Sequence, residues 1–279
     1  MIGFTGRSLD KDTQCKYLNS PETPLFHKGK TLFGIYQARQ EISKSDKCYL
    51  VEGQFDVLSF VQSGYPNTVC GSGTALTLDQ VRIIKKFTRN VTAVYDGDAA
   101  GMKASVRNMD IMLAEGMNVR AVLLPEGEDP DSFARKMGTE KLAKFLKKQE
   151  TDFISFIYKA FESEMDDPIR KTEVLRIIAQ SISVVPDKLQ RQAYIVSLAE
   201  RFNADGELIT NLVAELQAVG KKNVPAQPTQ PGLTGVEEAE ELVKTGSKQV
   251  TLTWSVNRFS EGWGVCPVIL ITGIPGPYT

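Results

Sequence analysis

Hydrophobic and polar positions change their period along the chain. Over residues 48–124, short apolar runs, "CYLV" (48–51), "NTVC" (67–70), "NVTAVY" (90–95) and "NVRAVLL" (118–124), are separated by longer stretches with helical spacing. Those stretches are "FDVLSFVQSG" (55–64), "TLDQVRIIKKF" (77–87) and "AAGMKASVRNMDIMLAEG" (99–116). Runs without alternation suit strands covered on both faces. Strand–helix–strand repetition predicts parallel strands joined by right-handed crossovers. Thr77 stands where a helix N-cap is expected, and Gly64 and Gly116 close their helices. Two further helices are expected over 131–137 and 139–148.

Elsewhere the pattern differs. Residues 1–47 are mixed: "MIGFTGR" reads as a strand entering a glycine turn, and "KYLNSPETPLFHKGK" as mostly loop. "TLFGIYQARQEI" (31–42) has helical spacing at Leu32, Ile35, Tyr36, Arg39 and Ile42. Segments over 151–165, 169–185, 188–202 and 205–219 all carry helical apolar stripes, with Pro168 and Pro186 at breaks, which predicts a helical bundle. Residues 220–235 are a Pro/Gly/Gln-rich linker, and 236–279 fit no architecture. The expected division is 1–47, 48–150, 151–219, 220–235 and 236–279. The fold class expected is α/β, a parallel sheet flanked by helices with a C-terminal helical bundle.

Composition adds two constraints. With a net charge of -1 the whole-chain balance does not announce a polyanion binder. Between Arg7 and Arg39, however, Arg7, Lys11, Lys16, Lys28, Lys30 and Arg39 outnumber Asp10, Asp12 and Glu22. The 4 cysteines, Cys15, Cys48, Cys70 and Cys266, form no CxxC pair, so no zinc site is expected. The single histidine, His27, cannot build a histidine-rich metal site. No secretory signal is visible, and "VCPVILITGIP" (265–275) is too short to span a bilayer. A cytoplasmic protein with no membrane partner is expected.

The acids carry the candidate chemistry. Glu52 ends the first apolar run and Asp56 follows it. Asp96 and Asp98 end the third, and Asp129 and Asp131 follow the fourth. In a parallel sheet the carboxyl ends of the strands share one edge. Carboxylates gathered there repel and resist ionisation unless a hard cation such as Mg²⁺ or Mn²⁺ stands between them. Taken alone, "DGD" also reads as a solvated turn. Acids at equivalent strand ends favour the metal.

"VEGQFDV", "YDGDAAGMKA" and "DPDSF" together resemble the TOPRIM domain of primases, topoisomerases and some nucleases. "IGFTGR", "KYLNSPETPLFHKG", "LFGIYQAR" and "GSGTALT" resemble the catalytic core of bacterial-type DNA primase. The resemblance implies synthesis of RNA primers on single-stranded DNA from ribonucleoside triphosphates, with an RNA–DNA hybrid as product. It implies Glu52, Asp96 and Asp98 as catalytic, metal-binding acids. Asp56, Asp129 and Asp131 are implied as further metal acids, with Mg²⁺ or Mn²⁺ as cofactor. Arg7, Lys16, Asn19 and Lys28 match the segment that contacts triphosphate or template phosphate. Lys11, Lys30, Lys103 and Arg107 read as surface charges. "GSGTALT" is open to two readings: main-chain approach to phosphate at Gly71 and Gly73, or a tight turn into a helix.

The sequence also departs from the family. No zinc ribbon precedes Met1, so a core truncated at its N-terminus is expected. A replicative helicase is a partner in the family, but its binding domain is not recognisable in 236–279. The alternatives are TOPRIM-type phosphodiester cleavage and an inactive metal- and DNA-binding fragment.

Overall fold

The computed structural model describes residues 3–7, 17–73, 75–96 and 102–222, and the main chain of four short strands between 251 and 272. Two compact units are distinguished, Met1–His27 with Ala226–Thr279, and Lys28–Pro225.

In the smaller unit, β1 (Thr5–Arg7) pairs antiparallel with β2 (Tyr17–Asn19). Cross-strand bonds close the pair: Thr5 Oγ1 donates to Asn19 Oδ1 at 2.6 Å, and the Phe4 N–H to Ser20 Oγ at 2.8 Å. The segment expected as loop thus contains a short strand.

The larger unit is built on one sheet. Its strands are β3 (Leu32–Phe33), β4 (Cys48–Val51), β5 (Thr68–Gly71), β6 (Asn90–Tyr95), β7 (Asn118–Leu123) and β8 (Thr151–Asp152). Their order is β3-β5-β4-β6-β7-β8. The four central strands run parallel, while β3 and β8 run antiparallel at the edges. Both edge strands lie inside segments expected as helical. Leu32 pairs with Gly71 rather than beginning the helix, because Gly34 takes a left-handed conformation (φ 85°) that breaks the chain direction before Ile35. At the other edge Asp152 ends the strand and caps the next helix by accepting from the Ser155 N–H at 2.9 Å.

Helices α1 (Ile35–Ser45), α2 (Gln54–Gln62), α3 (Leu78–Lys85), α4 (Met102–Ala114), α5 (Pro130–Gln149) and α6 (Phe153–Ala160) follow in chain order. Inside α5, Gly138 leaves helical geometry (φ 67°, ψ 170°), so the element is two helices joined at a kink, as the sequence predicts. Side chains alternate across the strands. Tyr49, Val51, Val94 and Val122 join Phe60 of α2 and Phe133 and Leu146 of α5 on one face. Leu50, Ala93, Tyr95 and Ala121 join α1, α3, α4 and α6 on the other. Burial on both faces explains the unbroken apolar runs.

The second face continues into the C-terminal helices α7 (Pro168–Ser183), α8 (Lys188–Phe202) and α9 (Gly206–Lys222), whose Ile178, Leu198 and Ile209 share its core. One polar group interrupts this packing. Asp110 of α4 is hydrogen-bonded to Ser181 of α7, and burial pushes its carboxyl up to about 6. Its Oδ1 is buried with no hydrogen-bond partner among the described residues.

In the tail, β9 (Thr251–Trp254) pairs antiparallel with β12 (Ile269–Thr272), and β10 (Arg258–Phe259) with β11 (Gly262–Trp263). No helix among the described residues is long and apolar enough to cross a membrane. Cys48 and Cys70 are buried free thiols whose burial pushes their pKa up; Cys15 and Cys266 lie outside the described residues.

Candidate functional site

The central strands are parallel, so Val51, Gly71, Tyr95 and Leu123 finish on one edge of the sheet. Glu52 leaves β4 there and Asp96 leaves β6 there. These strands are neighbours with Leu50 opposite Ala93, so by register Glu52 stands level with Tyr95, one residue before Asp96. Glu52 is exposed and Asp96 half-buried. The Glu52 charge, after burial, contributes to raising the Tyr95 phenol. Asp98 lies outside the described residues.

Asp56 and Asp131 are buried, at 8% and 7% exposure, and each is held by protein groups. Asp56, in the first turn of α2, accepts the Gly53 N–H on Oδ2 at 2.8 Å and the Asp131 N–H on Oδ1 at 3.1 Å. Asp131, in the first turn of α5, accepts Ser59 Oγ on Oδ1 at 2.5 Å and Arg135 Nη2 on Oδ2 at 2.6 Å. Asp129 is the exposed N-cap of α5, accepting the Ser132 N–H on Oδ1 at 2.7 Å.

Electrostatics link these groups. The Asp56 carboxyl is pushed up to about 7, chiefly by burial, with the charges of Asp96 and Asp129 adding to the rise and its main-chain hydrogen bonds opposing it. Three loops from three strand ends therefore place negative charge in one another's field. Such a set of oxygen donors, without imidazole or thiolate, fits a hard divalent cation. No group of three or more His, Cys, Asp or Glu side chains in ligand arrangement occurs among the described residues.

Of the basic residues, Lys28 begins a 3-10 turn, Lys28–Lys30, and is half-buried. Arg7 and Asn19 lie on β1 and β2 of the smaller unit. The Arg7 side chain, Lys16 and Lys11 lie outside the described residues, as does the Lys103 side chain; Arg107 is exposed on α4. His27 pairs with Glu22 at 3.2 Å on the surface. Gly73 has a φ of 77°, which accounts for one glycine of "GSGTALT" by the turn alone.

Sequence reasoning missed Ser59, Arg135 and Gln80. Arg135 follows Asp131 by one helical turn, a legible signal. Ser59 shares the Asp56 face of α2, but its partner is 72 residues away and nothing local announces it.

Three family matches cover most of the chain. Residues 1–39 match the N-terminal domain of the DNA primase catalytic core, 49–134 a Toprim-like family, and 162–207 the DnaB-helicase binding domain of primase. Toprim domains generally use divalent metal ions. The DNA primase of Halalkalibacterium halodurans is 37% identical over 205 residues, covering 73% of this chain and 34% of that protein. A DNA primase domain from Pseudomonas aeruginosa has a TM-score of 0.67 and 33% identity, covering 77% of this chain and 68% of that one. A DnaG primase catalytic domain bound to single-stranded DNA has a TM-score of 0.64 and 33% identity, covering 74% and 67%. The chain spans about a third of the length of the curated relatives it matches.

The match over 162–207 overturns one expectation, that a helicase-binding domain is not recognisable. The match falls within 151–219, whose apolar stripes read as bundle core, and not in 236–279. Helical periodicity identifies the buried face of a helix; what a second protein recognises on the outer face has no period.

Proposed function

The chain belongs to the bacterial-type DNA primase family, and from that premise we propose that it carries the metal-binding part of DNA-templated RNA primer synthesis. In this reading the 3′-oxygen of the growing primer forms a bond to the α-phosphorus of an incoming ribonucleoside triphosphate, and the bond to pyrophosphate breaks. Glu52, Asp96 and Asp98 hold Mg²⁺ or Mn²⁺, with Asp56, Asp129 and Asp131 completing the acidic field. Cations held by these acids would supply positive charge that lowers the cost of deprotonating the 3′-hydroxyl and of charge building on the phosphate and departing pyrophosphate. Lys28, with Arg7, Lys16 and Asn19, contacts triphosphate or template phosphate.

The observation that carries this reading is the shared edge: Glu52 and Asp96 leave adjacent parallel strands, and Asp56 feels both Asp96 and Asp129. Support for a single-stranded DNA template comes from the relative solved with that ligand. Residues 162–207 are proposed to meet a replicative helicase, on the strength of their family match.

Incubation with single-stranded DNA, labelled ribonucleoside triphosphates and Mg²⁺ or Mn²⁺ tests the proposal. Labelled oligoribonucleotides that require the metal are expected. Shortened DNA instead would replace primer synthesis with strand cleavage.

A further inference from the structure

The two sequence stretches that flank the sheet edge, "HKGK" (27–30) and "GSGTALT" (71–77), are joined by the first turn of α3. Thr77 caps that helix, its Oγ1 accepting the Gln80 N–H at 3.2 Å, while the Thr77 N–H donates to Gln80 Oε1 at 3.1 Å. This reciprocal pair is a capping box, which alone would account for both residues. Each, however, also has a second partner in the basic turn. Gln80 Nε2 donates to the Lys28 and Thr31 carbonyl oxygens, both at 2.9 Å. Thr77 Oγ1 donates to the Gly29 carbonyl oxygen at 2.5 Å. Gln80 has no exposed surface, and its amide orientation is set by its neighbours: two carbonyls require the donor end, one N–H the acceptor end. The carbonyls of Lys28, Gly29 and Thr31, in and directly after the turn that carries Lys28, are therefore held, so the clasp acts on the main chain.

We propose that Gln80, assisted by Thr77, is a positioning residue for Lys28, fixing the main chain around it so that its ammonium meets a phosphate of the nucleotide or the template. This rests on the reading of Lys28 as a phosphate contact. A glutamine inside a helix cap that also grips a turn 52 residues earlier is more than a helix stop signal. Its loss frees Lys28 to sample positions away from the phosphate, while the acids at the strand ends are untouched.

The test is a double-mutant cycle on the whole chain, with Gln80→Met, Lys28→Ala and both together, each checked for folding by circular dichroism and thermal melting. Two probes separate the phosphate sources: a fluorescently labelled single-stranded DNA oligonucleotide, and ATP. Lys28→Ala is expected to weaken one probe by about tenfold or more, the scale of one charge-assisted contact. Gln80→Met should weaken the same probe by a comparable factor, and the double variant should bind no worse than Lys28→Ala. Should Gln80→Met not fold, Thr77→Val, which deletes the bond to Gly29, enters the same cycle. Losses that multiply in the double variant, or a Gln80 or Thr77 variant that folds and binds normally while Lys28→Ala does not, overturn the positioning role and leave the Lys28 contact standing. Normal binding of both probes by Lys28→Ala removes the contact itself, and the positioning role with it.

Discussion

The main-chain N–H of Asp131 donates to Asp56 Oδ1 at 3.1 Å, so the first turn of α5 hangs from the first turn of α2 across 75 residues of chain. Ser59, one turn after Asp56, holds the Asp131 carboxylate at a second point. These bonds tie the segment after β7 to the segment after β4, the two flanks of the acidic edge. They have a cost, since a buried carboxylate in the field of Asp96 and Asp129 is pushed towards protonation. A bound divalent cation offsets that cost.

Asp96→Ala should lower primer synthesis by at least about a hundredfold, the scale of removing a charge-stabilising group from a reaction centre. Its metal-free melting temperature should equal or exceed that of the parent, because a repelling charge is gone. A primer-synthesis assay checks the first statement and metal-free melting curves the second, which a loss of stability would contradict.

Ser59→Ala leaves Asp131 Oδ1 without its buried donor, at a cost of about 1–3 kcal/mol read from urea unfolding. The Mn²⁺ concentration giving half of the metal-induced thermal shift should rise as well. Stability lost with unchanged metal dependence would confine Ser59 to holding the fold.

Asp110 supplies a pH dependence. Burial raises its folded-state pKa to about 6, above the 3.8 of an unperturbed aspartate. Its contribution is therefore complete below about pH 4 and is lost as pH rises through about 6. Asp110→Asn should gain up to about 3 kcal/mol on the parent at pH 7.5 and much less at pH 4, as measured by denaturant midpoints at the two pH values.

Gly138→Ala should destabilise by about 1–3 kcal/mol through the backbone alone. A methyl group there meets nothing within 4 Å, yet the φ of 67° excludes an ordinary side chain. Thermal melting decides; a neutral substitution would mean that the kink relaxes into continuous helix.

Lys28→Ala should reduce the slope of log affinity for single-stranded DNA against log salt by about 0.7, the value of one phosphate contact. An unchanged slope across a salt titration would remove the DNA contact and leave the nucleotide.

Much of this architecture is legible in the sequence, for local reasons. "NVTAVY" and "NVRAVLL" are strands because every position is covered, and Thr77 caps a helix through a partner three residues away. Gly138 divides two amphipathic patterns visible on either side of it. Acids follow the strands at Glu52, Asp96 and Asp129, and parallel topology alone sends them to one edge. Other relationships join residues far apart in the chain, where propensity and period carry no information. Leu32 is a strand because Gly71 lies beside it, against its own helical spacing. Ser59 meets Asp131, and Gln80 meets Lys28, across 72 and 52 residues of chain, through the tertiary fold alone. Local periodicity determined the central strands and the helices, and which faces they bury. Only the folded chain decided which polar groups on those elements meet, because a hydrogen bond between distant residues depends on distances that packing sets.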